Sequence, residues 1–151
     1  MQLTQKETSL LKDMKGQEEL CIAKYKKYAE DAKSSELKNL FTQMAKVEEN
    51  HLSTINSMMS GTVPTAPQGL ENSNNAHCTP FQYASDSDRQ ADSWLLRDML
   101  STEKHVSSLY DTSIFEFKDP AARKLLNHIQ AEEQQHGEQI YAYMNCNGMY
   151  S

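Results

Sequence analysis

Glu18 and Glu103 stand singly in the sequence, whereas Glu48-x-x-His51 and Glu133-x-x-His136 each place an imidazole three residues after a carboxylate. On a helix that spacing puts both side chains on one face, about one turn apart, so each pair can serve a common point. All six residues fall within stripes that are otherwise apolar, as laid out below. A carboxylate taken into a dry interior without a partner costs several kcal/mol, so four of them need a counter-charge. No Lys or Arg occupies the stripes at the same level. Two divalent cations would cancel four carboxylates and leave both histidines neutral as ligands. Mixed carboxylate and imidazole donors suit iron or manganese, with zinc also compatible. The competing expectation is an ancestral site now empty, in which protonated carboxyls hydrogen-bond one another and the histidines.

Four amphipathic elements must position these groups. Thr4 with Glu7 has the form of a capping box, and the stripe Leu11, Met14, Glu18, Cys21, Tyr25, Tyr28, Ala32 has the three-and-four spacing of a buried helix face. This spacing predicts a helix to about Lys33. Ser34 can cap a second helix with the stripe Leu37, Phe41, Met44, Glu48, His51, Ile55, Met58, ended by Gly61 and Pro64. A third stripe runs Leu96, Met99, Glu103, Val106, Tyr110, Ser113, Phe117; a fourth runs Ala122, Leu126, Ile129, Glu133, His136, Ile140, Tyr143. Asp119 caps the fourth helix and Pro120 takes its first position.

The two halves superimpose in sequence without a gap. Glu18 and Glu103, Glu48 and Glu133, and His51 and His136 are each separated by 85 positions, as are Leu11 and Leu96, Tyr25 and Tyr110, and the caps Ser34 and Asp119. The expected fold is therefore an all-α, antiparallel four-helix bundle built from a duplicated helical hairpin. One domain spans 1–151, with hairpins over 4–60 and 88–146, a crossover over 61–87 and a short tail over 147–151. The crossover holds Pro64, Pro67 and Pro80 and the polar run Glu71 to Asn75. So long a connection fits a bundle whose second and third helices are joined along its full length.

Secondary roles are expected around the six. Tyr25 and Tyr110 lie two turns from the single glutamates and could hydrogen-bond the ligands or lose an electron to an oxidised metal pair. They could equally be core aromatics whose hydroxyls find any partner. Gly16 and Gly137 are expected to mark close helix approach, and His77, His105 and His128 to be solvated.

A net charge of −6 with only 15 Lys and Arg argues against a nucleic-acid partner. No apolar run approaches the length of a membrane span, and the opening residues lack a signal-peptide stretch, so cytoplasmic synthesis is expected. Cys21, Cys78 and Cys146 contain no Cys-x-x-Cys pair, which excludes a zinc knuckle or rubredoxin-type site within the chain. Their odd number leaves at least one thiol unpaired. Reduced, structurally minor thiols are expected, the sharper alternative being cross-links between chains through Cys78 or Cys146.

The ligand set of one Glu from each of two helices and Glu-x-x-His from each of two others resembles that of ferritin-like di-iron and di-manganese carboxylate proteins. Resemblance to members such as the rubrerythrins, carried in the first half by Gly16, Glu18, Tyr25, Phe41, Ala45 and the Glu48 to His51 motif, implies a division of labour. Glu18 and His51 would serve one metal, Glu103 and His136 the other, and Glu48 and Glu133 would bridge. Residues from about 93 to 150 resemble the coat F family of bacterial spore coat proteins, through Asp98 to Lys104, Glu132-Glu133 with His136, and the tail Met144 to Tyr150. Met149 stands where that family commonly has tryptophan.

This resemblance implies deposition on the spore, with self-association or other coat proteins as partners. The function expected is a spore coat protein with a di-metal site in a structural or protective role. The alternative is a di-iron or di-manganese oxidoreductase acting on peroxide or oxygen. A mineral-storing ferritin ranks lower, because little chain follows Tyr143.

Overall fold

The computed structural model describes residues 1–68 and 78–150. His77 and the polar run 71–75 lie outside the described residues. Four helices make up the described structure: α1 (Gln5–Asp31), α2 (Ser35–Met59), α3 (Asp86–Ile114) and α4 (Pro120–Cys146). Among the described residues there is no strand, and no helix is long and apolar enough to cross a membrane.

Each helix begins where a side chain can take up an orphan N–H group. Thr4 and Glu7 form the reciprocal capping box, with Glu7 Oε1 accepting from Thr4 N–H at 2.9 Å and Thr4 Oγ1 accepting from Glu7 N–H at 3.1 Å. Ser34 accepts from Leu37 N–H, and Asp119 from Ala121 N–H ahead of Pro120. The third helix starts at Asp86, slightly before the expected 88, because the Ser85 hydroxyl accepts from Asp88 N–H. Helix α1 stops at Asp31, short of Lys33. The N–H groups of Lys33 and Ser34 are drawn off by the buried Asp92 carboxylate, at 2.7 and 3.0 Å. Asp92 also accepts from the Tyr83 hydroxyl at 2.8 Å, so one carboxylate ties α3 to the α1–α2 join.

Helix α1 packs along α2 and α3 along α4; α1 also meets α3, and α2 meets α4 more sparsely. The apolar stripes meet in two separate clusters. One gathers Tyr25, Leu37, Phe41, Met44, Leu96, Met99, Ile140 and Tyr143. The other gathers Leu11, Met14, Cys21, Ile55, Met58, Val106, Tyr110, Leu126 and Ile129. On α2, α3 and α4 the buried Glu48 and His51, Glu103, and Glu133 and His136 fall in sequence between the two clusters, and on α1 Glu18 is flanked by Met14 and Cys21 of the second, so the bundle carries a polar layer across its waist.

Two expectations require correction. Gly16 does not mark close helix approach, since a Cβ there would meet nothing within 4 Å, and one at Gly137 would only reach Leu100 Cδ1 at 3.9 Å. Both faces have room for a methyl group. Cys78 and Cys146 are neither free thiols nor poised for another chain; they form a disulfide within the chain, with Cα atoms 5.9 Å apart. The connection ahead of α3 returns to the end of the bundle where α4 finishes, which the linear spacing of the cysteines conceals. Cys21 is the unpaired thiol and is buried.

Candidate metal centre

All six predicted side chains are buried: Glu18, Glu48, His51, Glu103, Glu133 and His136 are at most 4% exposed. Their donor atoms form two overlapping groups. Atoms of Glu18, Glu48, His51 and Glu133 lie within 4.8 Å of one another, and so do atoms of Glu48, Glu103, Glu133 and His136. Glu48 and Glu133 belong to both groups. The histidine rings lie 6.5 Å apart at a 30° interplanar angle, each turning Nδ1 inward. His51 Nδ1 is 3.1 Å from Glu48 Oε2 and 3.0 Å from Glu133 Oε1, and His136 Nδ1 is 3.0 Å from Glu48 Oε1 and 3.3 Å from Glu103 Oε1.

The carboxylates are under-satisfied. Oε2 of Glu18, of Glu103 and of Glu133 is buried with no hydrogen-bond partner. Orphaned buried oxygens of this kind are rare in folded proteins, because each forfeits its hydration. Burial, followed by the adjoining Glu48 carboxyl, pushes Glu18 up to about 8. Burial and then Glu103 raise Glu133 well above the carboxylate range. Burial also works to raise Glu48, but hydrogen bonding with Glu18, His136 and His51 outweighs it and holds Glu48 well below its ordinary value. Burial disfavours charge on His136, yet Glu103 and Glu48 raise it to about 9. His51 is likewise raised well above its ordinary value, against burial, by Glu132, Glu133, Glu18 and Glu48.

Without a cation, then, the cluster limits its negative charge by retaining protons on Glu18, Glu133 and the two histidines. The residues present are compatible with metal binding: four carboxylates and two inward nitrogens converge, and the unpartnered Oε2 atoms of Glu18 and Glu133 lie 3.7 Å from Nδ1 of His51 and of His136, respectively. Tyr110 donates to Glu18 Oε1 at 2.6 Å, and Tyr25 donates to Glu103. The Cys21 thiol, one turn beyond Glu18, is raised by burial and by the surrounding carboxylates.

Sequence reasoning missed two participants. Glu132 accepts at Oε1 from His51 Nε2 at 3.1 Å, and His128 Nε2 lies 3.1 Å from the same oxygen. His128 is therefore not a solvated surface residue. It stands with Glu132, His51 and His136 in the wall of a cavity of about 520 Å³ between α2 and α4. The available signal was the i, i+4 spacing of His128 and Glu132 beside the fourth stripe. His105 is exposed, as expected.

Comparison with curated proteins and with solved structures gives no match. The second half of the chain gives one: residues 91–151, which hold Glu103, Tyr110, Glu132, Glu133 and His136, match the family model described as the Coat F domain.

Proposed function

We propose that this chain is a spore coat protein of ferritin-like fold whose single domain holds two iron or manganese ions, in a structural or protective role. Glu18 and His51 serve one ion and Glu103 and His136 the other, with Glu48 and Glu133 shared by both. The observation that carries this reading is the set of three buried carboxylate oxygens without a donor, on members of two donor groups that overlap at Glu48 and Glu133. Assignment to the spore coat is supported by the Coat F match over residues 91–151.

The order of the two apolar clusters along the helices supports the topology. Helices α2 and α3 both run from the Phe41/Met99 cluster toward the Ile55/Val106 cluster, while α1 and α4 run the other way. The join between α2 and α3 must then travel back along the bundle, as the long crossover of ferritin-like bundles does.

Within this centre the chain's own groups have separable tasks. The inward Nδ1 atoms and the carboxylates would hold the ions, Tyr25 and Tyr110 orient the single glutamates, and the apolar clusters above and below exclude water. Bound there, the ions would supply a Lewis-acidic, redox-capable pair. A second reading, an oxidoreductase acting on peroxide or oxygen, draws on one observation: the cavity between α2 and α4 reaches both histidines.

Elemental analysis of protein purified without added metal tests the principal reading. About two iron or manganese atoms per chain are expected. A protein that is metal-free as isolated, and that takes up neither ion in equilibrium dialysis, would leave the polar layer as an empty, proton-sharing core. Peroxide decomposition by the loaded protein would move the balance to the second reading.

A further inference from the structure

We infer that the two cation positions are inequivalent, and that Glu132 is the positioning residue that makes the Glu18/His51 position the tighter one; this rests on the di-metal reading above. A neutral imidazole that offers the Nδ1 lone pair to a cation must carry its proton on Nε2. In His51, Nδ1 faces Glu48 and Glu133, and Nε2 faces Glu132 Oε1 at 3.1 Å. Glu132 thus accepts the outer proton and fixes the tautomer and tilt that binding requires, as outer carboxylates do for metal-bound histidines. His128 holds the same Glu132 oxygen at 3.1 Å from one turn earlier on α4.

The repeat breaks at this pair. Almost everything else near the centre has its counterpart 85 positions away, including Tyr25 with Tyr110 and Glu18 with Glu103. Eighty-five positions before Glu132, however, stands Val47, and 85 before His128 stands Gln43. Both line the same cavity. The described hydrogen bonds and ion pairs of His136 all run through Nδ1. One imidazole is therefore backed by an anion, and the other has an alkyl side chain at the equivalent position. A carboxylate behind an imidazole makes it a stronger donor, and such outer partners are worth about 10–100-fold in metal affinity.

The test is calorimetric titration of the metal-free protein with Co²⁺, with the visible ligand-field spectrum followed in parallel. Wild type should fill in two steps separated by about 10–100-fold. In Glu132→Gln, which keeps size and a hydrogen-bonding oxygen but removes the charge, the tight step should weaken toward the other and the weak step should stay. A merely structural role for Glu132 would weaken both steps together. The tight step should persist in Glu103→Gln and vanish in Glu18→Gln, which assigns it. Two equal steps in wild type, or an unchanged separation in Glu132→Gln, would overturn the inference and leave the di-metal reading standing. No Co²⁺ binding by wild type would overturn both.

Discussion

Tyr110 on α3 donates a 2.6 Å hydrogen bond to Glu18 on α1, and the repeat returns the same bond with the helices exchanged, from Tyr25 on α1 to Glu103 on α3. Each half of the sequence repeat thus orients the other half's single glutamate. Burial first, and then the facing carboxylate, raise both phenols well above their usual value, so they act as donors across the working pH range. Tyr110→Phe leaves Glu18 with both oxygens short of a donor. A loss of about 1–3 kcal/mol is expected in the metal-free protein, the cost of an unsatisfied buried acceptor. Denaturant titration of Tyr110→Phe in wild-type and Glu18→Ala backgrounds checks it. The loss should shrink once the carboxylate is absent, and an equal loss in both would assign it to packing alone.

Metal-free protein should lose stability as pH rises from about 6 to 10. Glu18 is raised from 4.5 to about 8 and His136 from 6.5 to about 9. A group whose folded value is raised contributes fully below its unfolded value, and loses that contribution as pH climbs through the folded one. Both groups therefore withdraw stability in this window, whereas the contribution of Glu48, held low, is constant across it. Metal binding reverses the sign, because ligands must shed their protons and loading improves with pH. Melting curves across this range, with chelator and with Mn²⁺, should diverge upward in pH. Parallel curves would show that the cluster does not exchange protons for cations.

The helices and the six convergent residues were legible because both depend on local spacing. A glutamate at a stripe position is buried by the same three-and-four rhythm that buries Leu11 or Met99, and the 85-position repeat marked which glutamates belonged together. Caps were legible for the same reason. Glu132 was not, because it sits one residue off the stripe, where a helix in isolation would solvate it; only the gap between α2 and α4 turns it toward His51. The glycines misled, since small size is compatible with close approach without requiring it. The partnership of Cys78 with Cys146 depends on where the crossover returns the chain, and no local pattern encodes that.

That disulfide closes a loop with a sequence separation of 68 residues. Loops of this size stabilise by about 2–5 kcal/mol, chiefly by restricting the unfolded chain. Cys146→Ser should therefore lower unfolding free energy by an amount in this range, matching the effect of reductant on wild type. Intact mass under non-reducing conditions should be lower than the reduced mass by two hydrogens, with monomer on the gel. Ladders abolished by Cys78→Ser would instead show the sulfurs joining separate chains.

The shared carboxylates supply the sharpest contrast between variants. Glu48 belongs to both donor groups and Glu18 to one. Glu48→Ala should abolish uptake of both ions, while Glu18→Ala should lose the ion served by His51 and keep the other. Stability adds a second readout. A ligand that binds only the folded state stabilises it by RT ln(1 + [L]/Kd), about 4 kcal/mol at a thousandfold excess over Kd, so wild type should gain melting temperature with Mn²⁺ and Glu48→Ala should not. Without metal the order is expected to invert for Glu18→Ala. Its carboxyl is kept neutral only by burial and the neighbouring Glu48, and truncation relieves that desolvation. A Glu18→Ala protein that melts higher than wild type in chelator and lower in Mn²⁺ would mark the polar layer as a site that gives up stability to hold cations. A variant that melts lower in both would mark Glu18 as a packing residue.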